Sequence, residues 1–242
     1  MLVKQMTRKT TYDLGIIGGM GSEASVELYS RIINNTRHSC DQEHMKICVL
    51  NNSSIPDRTK CIIDGDENPV PYLNEAIEDL EKIGAKYFVM ACNTAHKFID
   101  ELKNKKVELI NMIDETLLFV KDKYKNRKVC VLSTNGTIFS NVYHHNKYAE
   151  GIDFVYLDSE KQNQIMNAIN DTKSGVNKAK ILESILEIIE SVSKQFDCIF
   201  ILACTELSLY QKGLREKYTV VDAMDCLVDA IIKKCGYRLK DK

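Results

Sequence analysis

Apolar residues are spaced along this chain in two distinct ways. Short runs that are apolar almost throughout cover 13–17, 46–51, 87–91, 107–111, 129–133, 153–157, 198–203 and 220–222. Runs of that length, bounded by turn residues, predict strands buried on both faces. Between them lie stretches with helical spacing. Over 70–83, Leu73, Ile77, Leu80 and Ile83 fall on one face, and Gly84 stands where a helix would end. Helices are predicted likewise at 23–37, 94–103, 114–124, 160–170, 177–194 and 223–234. Segment 53–59 (S-S-I-P-D-R-T) reads as a loop and 134–137 (T-N-G-T) as a turn. Strands alternating with helices place the chain in the α/β class, with parallel sheets flanked by helices.

The pattern also repeats. K-I-G-A-K-Y-F-V-M-A-C-N-T at 82–94 is matched by K-Q-F-D-C-I-F-I-L-A-C-T-E at 194–206, about half the chain further on. A second parallel sets G-I-I-G-G-M-G-S at 15–22 against V-C-V-L-S-T-N-G-T at 129–137, each a strand running into a turn. Two pseudo-symmetric Rossmann-like lobes are therefore expected: 11–112 together with 217–242, and 113–216, after a tail at 1–10. The carboxyl ends of parallel strands are where ligands bind in such sheets, so the site is expected in the cleft between the lobes.

Composition narrows the function classes. The 242 residues are 44% hydrophobic and 28% charged, and the formal net charge is −1. That is the profile of an ordinary globular chain with a real core. Lys4, Arg8 and Lys9 form a short basic tail, but no basic stripe of the kind nucleic acid needs is present. No apolar run is long enough to cross a bilayer, and the first residues lack the apolar segment of a secretory signal, so the cytoplasm is the expected location. The nine cysteines include no C-x-x-C pair and no Cys/His cluster with zinc spacing, so no metal is expected. Cys48, Cys130 and Cys198 sit inside apolar runs and read as small buried hydrophobes.

Cys92 and Cys204 differ from these. Each follows a strand at the predicted start of a helix, where the positive helix end and free N–H groups lower a thiol's pKa. Two such thiols, brought face to face by the repeat, suit a two-base exchange: a thiolate takes an α-proton from one side and a thiol returns one from the other. Two other readings stand beside it. Both cysteines could be strand-end packing residues, or Cys92 could be a nucleophile activated by His96 one helical turn on, which leaves Cys204 idle. The G-G-M-G run at 18–21 lacks the spacing of a nucleotide-binding loop, and no G-x-x-x-x-G-K-[ST] occurs.

Four motifs, in order, carry a resemblance: L-G-I-I-G-G-M-G at 14–21, S-I-P-D-R-T at 54–59, A-C-N-T-A-H at 91–96 and L-A-C-T-E-L at 202–207. With them the chain resembles the aspartate/glutamate racemases, the aspartate racemase branch in particular, over nearly its whole length. Ser22 departs from the pattern, since family members often have proline after M-G. The resemblance implies a cofactor-independent racemase that needs no pyridoxal phosphate and assembles as a homodimer. It implies Cys92 and Cys204 as the acid/base pair, and a cleft lined by Met20, Asn52, Asn93, Thr94, Thr205 and Glu206. It also implies Arg58 and Lys173 as anchors for the carboxylates of an acidic amino acid; guanidinium suits that task because it stays charged and binds carboxylate bidentately. Aspartate is the first expected substrate. Glutamate differs by one methylene, a distinction worth only about 1–3 kcal/mol in a pocket. A dicarboxylate isomerase or decarboxylase, or a silent acidic amino-acid binding protein, remains an alternative on sequence alone.

Overall fold

A computed structural model describes residues 11–103 and 106–241; the expected tail at 1–10 lies outside them. The chain forms two four-stranded parallel sheets. The first contains β1 (Tyr12–Gly18), β2 (Ile47–Asn51), β3 (Ala85–Met90) and β4 (Glu108–Leu109), in the order β2-β1-β3-β4. The second contains β5 (Lys128–Ser133), β6 (Asp153–Val155), β7 (Cys198–Ala203) and β8 (Val220–Asp222), in the order β6-β5-β7-β8. The two orders are the same, so the sequence repeat corresponds to a repeated topology.

Each sheet is covered on both faces, which is why its central strands are apolar nearly throughout. On β5 and β7 the faces alternate residue by residue. Val129, Val131, Ile199 and Ile201 pack against α4 (Met112–Lys123), while Cys130, Leu132, Phe200 and Leu202 pack against α6 (Ser159–Lys173) and α7 (Lys178–Ser193). In the first sheet, Leu14, Ile16 and Val89 meet α1 (Ser22–Asn35) and α9 (Ala223–Lys234). Ile17, Phe88 and Met90 meet α3 (Val70–Lys82). Cys130 and Cys198 are buried as expected, and Cys48 is half-buried against the first core.

The chain returns to the first lobe later than the sequence suggests. Strand β8 hydrogen-bonds to β7, so 217–222 stays with the second sheet, and only from α9 onward does the chain pack on the first. Two segments read as irregular are helical. The expected loop at 53–59 runs into α2 (Arg58–Asp64), where the Asp57 side chain accepts from the Lys60 N–H and Gly65 closes the far end in the left-handed conformation. The expected turn at 134–137 opens α5 (Asn135–Phe139), capped by the Thr134 hydroxyl. Conversely, the helix expected at 94–103 is a 3₁₀ segment, Thr94–Glu101. A second 3₁₀ segment, Leu207–Tyr210, leads into α8 (Gln211–Arg215). No helix among the described residues is long and apolar enough to cross a membrane.

Candidate active site

Cys92 follows β3 and Cys204 follows β7, the third strand of each sheet in the shared order. Both lie at the carboxyl ends of their strands, both are buried, and both line one chamber. Met20, from the turn after β1, and Thr134, from the turn after β5, close it from equivalent places. The chamber is about 20 Å³, room for a single water. It opens through Met20, Asp57, Arg58, Lys173 and Glu206 onto an outer cavity of about 430 Å³.

The two thiols have different neighbours. The Cys204 S–H donates to Glu206 Oε2 at 2.9 Å, and the Thr205 hydroxyl donates to the same oxygen at 3.3 Å. Burial, together with the charge and hydrogen bond of Glu206, pushes the Cys204 thiol well above its ordinary value; Lys173 pulls the other way without compensating. The expectation that both thiols ionise readily is therefore corrected at Cys204. The segment after it is one 3₁₀ turn rather than a long α-helix, and a carboxylate stands beside the sulfur.

His96 does not serve Cys92 as a base. Its Nδ1 donates to the Cys92 carbonyl at 2.9 Å, and its Nε2 accepts from the Met112 N–H at 3.3 Å. Burial pushes its pKa down to about 4. The neutral ring braces the Cys92 turn against the start of α4.

The remaining expected site residues divide clearly. Asn93 Oδ1 accepts from the buried Tyr143 hydroxyl at 2.6 Å, while its Nδ2 is buried without a partner. The Thr94 hydroxyl joins those of Thr134 and Thr137 at 2.9 and 3.0 Å. Thr205 Oγ1 also reaches the Ala91 carbonyl at 3.4 Å, tying the second lobe to the end of β3. Arg58 is buried, donating to the carbonyls of Ile55, Pro56 and Met20 at 3.2, 2.8 and 3.1 Å; its Nε has no partner. Lys173, in the last turn of α6, stands at the exposed rim. Partial desolvation against the cavity pulls its ammonium down, but the negative field of Glu206 foremost, then of the two site sulfurs when ionised and of Asp57, outweighs this and holds it above the usual lysine value. Asn52 is the exception. Its side chain accepts from the Ser54 N–H, and it lines neither the chamber nor the outer cavity. Its backbone instead packs against Gly19, where an added Cβ would lie 2.2 Å from the Asn52 carbonyl.

The turn that carries Cys204 is held from behind. Arg31, on α1, donates to the Ser208 carbonyl at 2.8 Å and to Asp222 and Asp225 at 2.6 and 2.7 Å. The Ser208 hydroxyl in turn donates to Asp222 at 2.7 Å. Asp222 is buried, and burial pushes its carboxyl up even though Arg31 pulls it down.

Comparison with known proteins identifies the family. Residues 17–231 match the Asp/Glu/Hydantoin racemase family. The chain belongs to that family. It is 33% identical to the aspartate racemase of Picrophilus torridus, whose structure superposes with a TM-score of 0.85 over 94% of this chain and 95% of that one. It is 25% identical over 228 residues to the broad specificity amino-acid racemase RacX of Bacillus subtilis, spanning 90% of this chain and 96% of that protein. A glutamate racemase from Lactobacillus acidophilus is 29% identical over 185 residues, 68% of this chain and 67% of that one. The protein is thus a racemase, an isomerase with the two-lobe fold of its relatives.

Several residues of the candidate site carry little or no signal in the sequence. Asp57, Thr59 and Thr134 line the chamber, and Thr137 and Tyr143 stand behind it. The repeat held a signal for Thr134, because T-N-G-T occupies the place of the G-G-M-G turn. Tyr143 has no local signal; only folding brings it to Asn93.

Proposed function

We propose that this racemase interconverts L- and D-aspartate, and glutamate as a second substrate, by passing the α-proton between Cys92 and Cys204. The observation that carries this is the pair of thiols on one chamber, whose mouth holds two cations, Arg58 and Lys173. An acidic amino acid brings two carboxylates, and each cation suits one of them. Asn93 Nδ2 supplies a further donor that has no partner within the protein.

In the reaction one sulfur, as thiolate, removes the α-proton. The electron pair of the broken C–H bond stays on Cα and spreads into the adjacent carboxylate. The other sulfur, as thiol, delivers its proton to the opposite face, which inverts the centre and exchanges the roles of the pair. Fixed cations and donors stabilise the developing charge; one such donor is typically worth about 3–4 kcal/mol in a dry site. A chamber with room for one water must widen to take the substrate and close again around it.

Incubation of either enantiomer in deuterated water, followed by proton NMR and chiral chromatography, tests this. Both enantiomers should racemise with α-deuterium uptake. Cys92→Ser and Cys204→Ser should each lower racemisation by about 10²–10⁴-fold, the usual worth of a positioned acid or base. No exchange with any acidic amino acid, or one replacement leaving the rate untouched, refutes the two-base reading. A cytoplasmic homodimer completes the proposal, checked by sedimentation velocity and cell fractionation.

A further inference from the structure

The repeat presents its two thiols to one chamber but gives them unlike company. Two residues beyond Cys204 stands Glu206, whose Oε2 accepts from both the Cys204 thiol and the Thr205 hydroxyl. Its Oε1 is buried with no partner, and Gly21 makes room for it, since a Cβ there would lie 2.6 Å from that oxygen. Two residues beyond Cys92 the corresponding residue is Thr94, an uncharged hydroxyl engaged with Thr134 and Thr137. One thiol therefore has a carboxylate at its matching position and the other a neutral group.

Resting on the racemase reading above, we propose that Glu206 is a positioning residue that sets the starting charge state of the pair: it keeps the proton on Cys204 and thereby makes Cys92 the resting base. A thiolate at Cys204 would stand about 3 Å from a carboxylate, a like-charge pair in a water-poor pocket. The other charged or titratable groups facing this sulfur are Lys173 from α6, Arg58 and Asp57 from the start of α2, Cys92 across the chamber, and Tyr143 behind Asn93. Lys173 favours the thiolate, but burial and Glu206 prevail.

The consequence is directional. The enantiomer whose α-hydrogen faces Cys92 meets an enzyme already prepared for it. After turnover the proton sits on Cys92, and Cys204 is left as a thiolate beside Glu206. It must regain a proton before another molecule of the same hand can react. Mirror-image substrates have an equilibrium constant of one, so kcat/KM is equal in the two directions. The asymmetry emerges in kcat and KM separately.

Residue-resolved alkylation of the free enzyme by iodoacetamide, followed by mass spectrometry across pH, tests the assignment. Cys92 should label with a lower midpoint than Cys204. Glu206→Gln should bring the Cys204 midpoint down by at least about one pH unit, which is about tenfold faster labelling of that residue at pH 8. In kcat/KM profiles the alkaline limb should move down in Glu206→Gln while the acid limb stays. A merely structural role would lower the rate without moving that limb. Cys204 ionising before Cys92, or a Cys204 midpoint unchanged by the substitution, overturns the proposal. If Glu206→Gln does not fold, the order of labelling in the unaltered enzyme decides. Labelling needs no substrate, so a failure to racemise acidic amino acids would count against the proposed function and not against this result.

Discussion

Removal of the Arg31 guanidinium gives a stability test whose size and pH dependence both follow from the structure. Arg31 lies between α1 and the end of β8, with Asp222 and Asp225 at 2.6 and 2.7 Å. The Asp222 side chain is 0% exposed, so without Arg31 it can escape an unpaired buried charge only by taking a proton. At pH 7 protonating a carboxyl of ordinary pKa costs about 4 kcal/mol relative to the unfolded chain. Part of that cost is already present, because burial pushes Asp222 up in the intact protein. Arg31→Met should therefore lose about 3 kcal/mol at pH 7. The sign with pH is definite. A carboxyl raised by folding carries no penalty below its unfolded pKa, and the penalty grows as pH rises. At pH 5 the loss should shrink to about 1–2 kcal/mol. Adding Asp222→Asn should restore most of it at pH 7, since no charge is then left stranded. Urea unfolding followed by circular dichroism, at both pH values and for both variants, measures all three. An equal loss at pH 5 and 7 with no recovery in the double variant would show that Arg31 acts only by packing.

Other outcomes follow from the same geometry. The His96 pKa is depressed from 6.5 to about 4 in the folded chain. Stability is then full above pH 6.5 and falls by roughly 3 kcal/mol as pH drops toward 4; His96→Gln should flatten this slope in acid unfolding curves. Gly21→Ala should displace the Glu206 carboxylate, because the new methyl would sit 2.6 Å from Oε1; kcat should fall with little change in melting temperature. Gly19 has φ +85 with the Asn52 backbone against it, so Gly19→Ala should destabilise by more than about 1 kcal/mol in urea unfolding. Arg58→Ala should raise KM for aspartate by at least about tenfold in steady-state assays, since one charge-assisted hydrogen bond is worth about 1.5–3 kcal/mol.

The sheets were legible in the sequence because their central strands are buried on both faces, which leaves little choice but continuous apolar residues. The helix α3 was legible because one face of it is apolar at helical spacing. Short elements were harder. The α2 helix begins just after Pro56, and its signals are local: the Asp57 cap and the Gly65 stop, eight residues apart in a segment that otherwise reads as a loop. β4 extends over only two residues, because the register to β3 pairs no more than that. At the site, the cysteines, Arg58 and Lys173 were visible through motif and repeat. The state of Cys204 was not, because the helix-end expectation ignored Glu206 two residues on. Arg31 could not be found by any local pattern, since Asp222 lies 191 positions away.

The smallness of the inner chamber has a practical side. Under the proposed reaction, a space fit for one water cannot itself receive a dicarboxylic acid, so that proposal requires the wall formed by Arg58, Lys173 and Glu206 to move. A compound lodged in the roomier antechamber and propping that wall apart would stall the enzyme without ever touching sulfur. Because both thiols would stay unmodified, removing the compound by dialysis should restore turnover, which a covalent thiol-directed reagent would not allow.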